Sequence, residues 1–499
     1  MFENWLIGLS QLAQWQVLLA IVLGVALGIV VGAMPGLSGP TGLALMIPFT
    51  YALSPVVSVI LLVSIYLAAE YGGSITAITI NTPGTPSAAV TGQDGYPMTQ
   101  QGKTGRALSL SIMSSVCGGL FSTVMLILFS IPLAKFAIAF GPVQYFALGV
   151  FGLAIIASLV SGNWIKGLIA AFIGLFLSTI GADPMTGAFR YTFGQPTLWE
   201  GIGFVPAMLG LFAISEVFVI VESGIKNRLV DSAQFSTERM PFTQFRKLWK
   251  CLLSSSVLGT IVGVVPGAGA AIGSIIAYNE ARRWSKTPEK FGKGIDEGVC
   301  ASETANNATV GGALVPMLTL GIPGSGSTAI LMGALMLHNV APGPLLFQKN
   351  PDIVYGIFTS LLLANIVMLY LGLYGVRVWL KVVQIPPSIL APMIFGVAFL
   401  GAYSNGGSLG DIIVMLVIGI MGYILRKLRI PLLPVVIGLV LGDIVEISLR
   451  RALIVSDSGF LSFFTDPISL VLMIMSIASI AYAILRDIRK PHDTSQQAI

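Results

Sequence analysis

Long apolar runs dominate this chain, and short glycine-proline interruptions punctuate them at matching places in its two halves. Runs long enough to span a bilayer, each needing roughly 20 residues, lie near 56–82, 107–131, 142–160, 164–182 and 201–221. The second half adds 298–320, 353–381, 388–404, 408–424, 431–448 and 466–485. Two further apolar regions, 16–51 and 251–280, are each split by a break: Gly32-Ala33-Met34-Pro35-Gly36-Leu37-Ser38-Gly39 and, 231 residues on, Gly263-Val264-Val265-Pro266-Gly267-Ala268-Gly269. A second pair, Asn81-Thr82-Pro83-Gly84-Thr85-Pro86-Ser87 and Gly321-Ile322-Pro323-Gly324-Ser325-Gly326-Ser327, is offset by 240. A third, Phe204-Val205-Pro206 with Leu209-Gly210-Leu211 against Leu432-Leu433-Pro434 with Ile437-Gly438-Leu439, is offset by 228. Interrupted apolar segments at corresponding places in two halves point to the binding site of a secondary transporter.

Composition fixes the solvent. The chain is 55% hydrophobic and only 10% charged, against about 25% charged in soluble domains, so lipid must cover much of its surface. The N-terminus carries no Lys or Arg ahead of its apolar run and does not resemble a cleaved signal peptide. The net charge of +5 reports orientation rather than nucleic-acid binding, because Lys and Arg stay on the cytoplasmic side of a membrane chain. Cys117, Cys251 and Cys300 have no metal-site or disulfide spacing.

Residues 1–102 hold no Lys or Arg, whereas 222–250 hold six and 281–293 hold five. Both basic stretches are expected inside, yet only 251–280 separates them. A hairpin bent at Pro266-Gly267 restores parity, either as a re-entrant loop or as two short crossings; arms of about 14 residues reach ~21 Å. Counting back through five crossings puts the first hairpin outside and Lys103, Arg106 and Lys166 inside. Arg190, Arg450 and Arg451 fall outside, against the trend. The expected architecture is therefore an all-α polytopic membrane protein of about eleven crossings plus two hairpins, built as two inverted-topology repeats. Its divisions are 1–221 (hairpin 16–51, broken segment 70–100), a cytoplasmic basic linker 222–250, 251–450 (hairpin 251–280, broken segment 300–341), and a final helix and cytoplasmic tail, 451–499.

Breaks at membrane depth are tolerated only when buried in protein or lining a wet cavity. Free N–H groups at a half-helix start attract anions, and free carbonyls at the opposing end suit a small cation such as Na⁺. Ser38, Thr41, Thr85, Ser87, Ser325, Ser327 and Thr328 flank the breaks as a hydroxyl rim, and Gly36, Gly39, Gly84, Gly267, Gly269, Gly324 and Gly326 admit close backbone approach. Small residues also permit tight helix packing, which serves several of these glycines equally well. Asn306 and Asn307, within the polar run Ser302–Thr309, can donate or accept. Candidate cation ligands are Glu70 and Glu303, acidic residues in or beside apolar segments, with Thr304, Asn81, Thr82 and Gly321; Glu303 and Glu70 equally suit proton carriage or pairing with a neighbour. An anionic substrate would be held by dipoles, hydroxyls and a co-transported cation. No HExxH or Walker sequence is present, and neither Leu409-Gly410-Asp411 nor Leu441-Gly442-Asp443 has the Gly-x-Gly-Asp form. An uncoupled anion channel or a membrane-embedded enzyme is the alternative.

Several strings resemble the large membrane subunit of the tripartite tricarboxylate transporter family. They are Gly32-x-x-Pro35-Gly36-Leu37, Glu70-Tyr71-Gly72-Gly73, Asn81-Thr82-Pro83-Gly84, Asp94-Gly95-Tyr96-Pro97-Met98-x-Gln100-Gln101-Gly102, Val265-Pro266-Gly267-Ala268-Gly269, Glu303-x-x-Asn306-Asn307-Ala308 and Leu318–Ser325. The tip Ala33-Met34-Pro35 departs from the family's usual aliphatic pair. The resemblance implies a bacterial inner-membrane symporter of organic carboxylates, without a cofactor, driven by Na⁺ or H⁺. It also implies a small membrane subunit and a periplasmic substrate-binding protein as partners, the latter largely selecting the substrate. Paired hairpins favour an elevator over a rocking motion.

Overall fold

The computed structural model describes residues 2–34, 36–159, 164–223, 238–382 and 385–489. Pro35 of the first tip, Lys226 and Arg228 of the basic linker, and Lys490 of the tail lie outside the described residues. Among the described residues the regular structure is helical apart from one two-residue antiparallel ladder, β1 (Gly181–Ala182) with β2 (Phe189–Arg190). The first half runs α1 (Phe2–Leu12), α2 (Trp15–Ala33), α3 (Gly39–Thr50), α4 (Pro55–Ile80), α5 (Ala88–Gln100), α6 (Thr104–Ala137), α7 (Pro142–Leu159), α8 (Trp164–Ser178), α9 (Phe204–Met208) and α10 (Ser215–Ser223). The last two are joined by a π-helical turn, Leu209–Ile214. The second half runs α11 (Phe242–Phe245), α12 (Trp249–Val264), α13 (Gly269–Trp284), α14 (Asp296–Leu320), α15 (Gly326–Leu337), α16 (Leu346–Lys349), α17 (Pro351–Tyr374), α18 (Val376–Val382), α19 (Pro387–Gly406), α20 (Leu409–Lys427), α21 (Leu432–Val455), α22 (Ser462–Thr465) and α23 (Pro467–Arg489).

Among the described residues nine helices are long and apolar enough to cross a membrane. Seven of them fall on the expected crossings, and three more of those crossings are the shorter apolar stretches 142–155, 164–178 and 388–404. The remaining two of the nine are the first arms of the hairpins, in 15–33 and 242–264. At 19 residues, α2 reaches ~28 Å, which is longer than an arm cut at mid-hairpin; α3 has only 12 residues. The expected crossing at 298–320 is α14, too polar to face lipid. Its residues Gly298–Thr319 are buried throughout, so protein rather than hydrocarbon surrounds it.

The third sequence pair is not a break. Pro206 and Pro434 each stand third in a helix that begins at Phe204 or Leu432. The first turn of a helix has no intrahelical acceptor for its N–H groups, so proline costs nothing there. These prolines mark helix starts.

The chain divides into two compact units: residues 1–137 with 204–423, and residues 138–203 with 424–499. In the first unit α2 lies against α4 and α12 against α14 at backbone contact. A Cβ built on Gly28 would lie 2.5 Å from the Ile65 carbonyl oxygen, and one on Gly32 would lie 2.1 Å from that of Ala69. In the other pair a Cβ on Gly259 would lie 2.5 Å from the Ala305 oxygen, and one on Gly263 would lie 2.5 Å from that of Thr309. Helices that share lipid with their neighbours gain nothing from the hydrophobic effect on meeting, so small residues and close packing join them. Also in this unit, Gly210 in the π-turn meets the Met415 carbonyl of α20 at 2.6 Å by the same measure.

The second unit joins α8 to α21 likewise, Gly438 facing the Ala171 oxygen at 2.4 Å and Gly174 that of Val435 at 2.1 Å. It also pairs two of the arginines expected outside. Arg450 binds Asp183 (2.6 Å) and Glu446 (2.8 Å), and Arg190 binds Glu446 (2.6 Å), so both are held in a paired cluster that fastens the 181–190 ladder to α21. The Arg450 guanidinium, helped by the Met185 and Thr186 N–H groups, holds the Asp183 carboxyl well below the usual carboxylate range.

Substituting Gly28 or Gly259 by Ala places a methyl against a carbonyl oxygen, at an expected cost of about 1–3 kcal/mol. Gly396 in α19 faces open space, and Gly396→Ala is expected to be neutral or slightly stabilising. Thermal unfolding in detergent checks this; equal midpoints for all three variants would contradict the packing account.

Candidate functional site

All four broken segments fall in the first unit. The first tip leaves Gly36 at φ +92°, with the Glu216 Oε1 of α10 2.9 Å from where its Cβ would stand. Ser38 caps α3: its Oγ accepts the Thr41 N–H at 3.5 Å and lies 3.0 Å from Thr41 Oγ1. The second break of this half turns at Asn81, in the left-handed region at φ 53°, where Asn is tolerated. The Asn81 and Thr82 N–H groups both reach back to the Thr76 carbonyl. Thr82 Oγ1 donates to the Ile80 carbonyl at 3.3 Å. Gly84 packs tightly: its N–H donates to the Gly73 carbonyl at 3.2 Å, and a Cβ would stand 1.9 Å from the Gly32 oxygen. Thr85 Oγ1 lies 3.0 Å from Ser87 Oγ, and Ser87 Oγ donates to Glu70 Oε2 at 3.3 Å.

In the second half Gly267 (φ +81°) donates its N–H to the Gly324 carbonyl at 2.9 Å, tying hairpin to break. Gly269 (φ +66°) faces open space. Gly321 (φ +70°) ends α14 in the left-handed region, with its N–H and that of Ile322 directed at the Pro316 carbonyl. Gly324 packs on Ala313. Ser325 and Thr328 form a reciprocal capping box, with Thr328 N–H to Ser325 Oγ at 3.2 Å and Ser325 N–H to Thr328 Oγ1 at 2.7 Å. Such a box satisfies two of the orphan donors at a helix start. Ser325 Oγ also lies 3.1 Å from the buried Tyr66 hydroxyl of α4.

These pieces converge. A Cβ on Gly39 would stand 3.2 Å from Ser327 Oγ and 3.8 Å from Glu70 Oε1, so the first tip, the second half's break and Glu70 share one locality. Asn306 joins them, its Nδ2 donating to the Glu70 carbonyl at 2.9 Å, while Asn307 Nδ2 reaches the Leu67 carbonyl at 3.2 Å. Both asparagines are fully buried, and their Oδ1 atoms find no hydrogen-bond partner among the described residues.

Glu303 lies one helical turn before Asn306 on α14. Its fully buried carboxylate accepts the Ser74 and Thr91 hydroxyls at one oxygen, and Ser111 (3.0 Å) and Ser115 (2.9 Å) at the other. Four hydroxyls from α4, α5 and α6 thus close on one side chain of α14, filling both oxygens with no basic partner among the described residues. Thr304 is likewise buried in this packing, its carbonyl oxygen 2.0 Å from a Cβ position on Gly118.

Sequence reasoning missed Glu216 and Tyr66. Glu216 is an acidic residue inside an apolar run, the same signal that singles out Glu70, and the π-turn just before it is the kind of irregularity that gathers at functional sites. Tyr66 gave no signal; it becomes notable only beside Ser325.

The sequence matches the tripartite tricarboxylate transporter TctA family over residues 18–437. It is 38% identical to an Agrobacterium vitis protein described as an uncharacterized 52.8 kDa protein in the TAR-I ttuC' 3' region, over 94% of each chain. It is 35% identical to a second, from the TAR-II ttuC' 3' region of the same organism, over 47% of this chain and 97% of that one.

If Glu303 is a four-way knot, Glu303→Ala leaves four buried hydroxyls without their acceptor and costs about 3–5 kcal/mol. Glu303→Gln, which keeps one acceptor, loses distinctly less. Denaturant titration in detergent measures both; wild-type stability for Glu303→Ala would refute the knot.

Proposed function

We propose, from the premise that the chain belongs to the tripartite tricarboxylate transporter TctA family, that it carries an organic carboxylate inward against its gradient together with a cation, Na⁺ in preference to H⁺. It is a multi-pass protein of the bacterial inner membrane and a transport component, not an enzyme. A small membrane subunit and a periplasmic substrate-binding protein complete the assembly in this proposal.

The observation that carries the reading is the difference in charge between two breaks that sit side by side. Two carboxylates, Glu216 and Glu70, flank the first tip at Gly36 and Gly39. Hydroxyls from Ser325, Thr328 and Tyr66 rim the second break, whose own residues, 321–328, include no carboxylate. Like charges about 4 Å apart repel by ~4 kcal/mol at a protein-like effective dielectric. An anion therefore cannot share the first tip unless a cation is there too. The cation belongs beside Glu70 and Glu216, and the substrate carboxylate at the Ser325 end of α15, where free N–H groups and the helix dipole favour it.

Inverted repeats suit this arrangement, and the contacts support them. Gly28 on Ile65 and Gly32 on Ala69 become Gly259 on Ala305 and Gly263 on Thr309 when shifted by 231 and 240 positions. Asn81 and Gly321, 240 apart, both turn left-handed and both close on a residue five back. With the broken segments gathered in one unit, an elevator-type movement carries them together.

Uptake into proteoliposomes holding both membrane subunits, supplied with the binding protein and a panel of di- and tricarboxylates, tests the proposal. Ser325→Ala is expected to raise the carboxylate KM about tenfold or more, the cost of one hydrogen bond to a charged group. Glu216→Gln should instead weaken the Na⁺ dependence. Accumulation fully retained when choline replaces Na⁺ at fixed pH would overturn sodium coupling, and an unchanged KM in Ser325→Ala would overturn the substrate placement.

A further inference from the structure

Away from the breaks, the C-terminal end of α5, the start of α6 and the loop before α14 enclose a cavity of about 490 Å³. Its charged lining is Lys103, Arg106, Lys290 and Lys293 against Glu238 and Asp296. Arg106 and Asp296 neutralise one another through a two-point pair, Nε to Oδ1 at 3.0 Å and Nη2 to Oδ2 at 2.6 Å. Three ammonium groups then face one carboxylate. Lys103 Nζ touches only the amide oxygen of Gln101, at 3.3 Å, and neither Lys290 nor Lys293 has an ion-pair partner among the described residues.

The loop that carries the lysines is fixed. Asp94, fully buried, accepts the N–H groups of Gly294 (2.8 Å) and Ile295 (3.0 Å) at one oxygen and the Tyr278 hydroxyl (2.8 Å) at the other. Gln101 Nε2 donates to the Lys293 carbonyl at 2.8 Å. Gly294 holds φ +95°, where a side chain is strained, and a Cβ there would stand 3.0 Å from Gln101 Nε2. Lys293 therefore sits one residue from an anchored turn, and Lys103 two residues from the Gln101 that braces it. Lys103, Lys290 and Lys293 are exposed and line one concavity, where a single chloride cannot offset all three charges. A multivalent oxyanion can, and lysine serves as a point charge for phosphate.

We propose that this cavity is a phosphate-binding site, separate from the transport site and independent of the reading of the breaks. Its cargo is the phosphate of an anionic phospholipid headgroup or a soluble phosphate; basic pockets on the cytoplasmic side of membrane helices take the former.

The full chain in neutral detergent, titrated calorimetrically with inorganic phosphate and with dihexanoyl phosphatidylglycerol against chloride of equal ionic strength, tests this. Saturable binding of either probe is expected, weakened at least tenfold by Lys290→Gln with Lys293→Gln and unaffected by Lys349→Gln, whose side chain does not line the cavity. Binding of phosphatidylglycerol alone assigns a lipid, and comparable binding of inorganic phosphate assigns a soluble ligand. Binding of neither beyond chloride, or equal binding by the double variant, would overturn the site.

Discussion

Peptide groups freed at a helix break find no water inside a bilayer, and the first unit is built around where those groups go. Each unsatisfied N–H or C=O in hydrocarbon costs several kcal/mol, yet the chain interrupts its helices four times within that unit. The bonds described above answer for many of those groups: Gly84 to Gly73, Gly267 to Gly324, the turn at Asn81 onto Thr76 and that at Gly321 onto Pro316. Ser38 and the Ser325–Thr328 box cap the half-helices that follow. Such bonds need backbones to approach closely, which is why glycine recurs where one helix meets the carbonyls of another. The breaks, the glycines and the buried polar helices α4 and α14 are parts of one solution.

The same constraint leaves some of the candidate residues filled by their neighbours and others more open. Gly84 and Gly324 are filled by packing, and Glu303 is occupied by four hydroxyls. Around Gly36, Ser38, Glu70 and Ser325 the packing is looser: Gly36 is exposed and the other three are partly so, while Gly39 and Ser327 beside them are buried. The asparagine Oδ1 atoms, buried and without partners among the described residues, lie on α14 behind this region.

Much of this was legible in the sequence because glycine and proline report backbone conformation directly. Both hairpin tips and both second breaks fall where Pro-Gly pairs stand, and Asn81 and Gly321 are residue types that tolerate the left-handed turn found there. What misled was proline without glycine's company: Pro206 and Pro434 look like interruptions but open helices, and nothing in a string of letters separates a first-turn proline from a kink. Glu303 stands out as an acid in or beside an apolar segment, but its surroundings do not. Its partners Ser74, Thr91, Ser111 and Ser115 lie 188 to 229 residues away, and only packing brings them round it. Glu216 was readable by the rule that found Glu70 and became prominent only through its closeness to Gly36. The α14 crossing was correctly seen as helix-length but not as protein-enclosed, since burial is a property of neighbours.

The central claim, that the first tip and the second half's break line one aqueous ligand site, is tested most directly by thiol accessibility. Cys117, Cys251 and Cys300 would first be replaced by serine, and Ser38→Cys and Ser325→Cys introduced singly in membranes. Both positions should react with a charged, water-soluble maleimide, and a transported carboxylate with Na⁺ should slow the reaction at both. Labelling of both by a lipid-soluble reagent alone, with no protection by substrate, would contradict it.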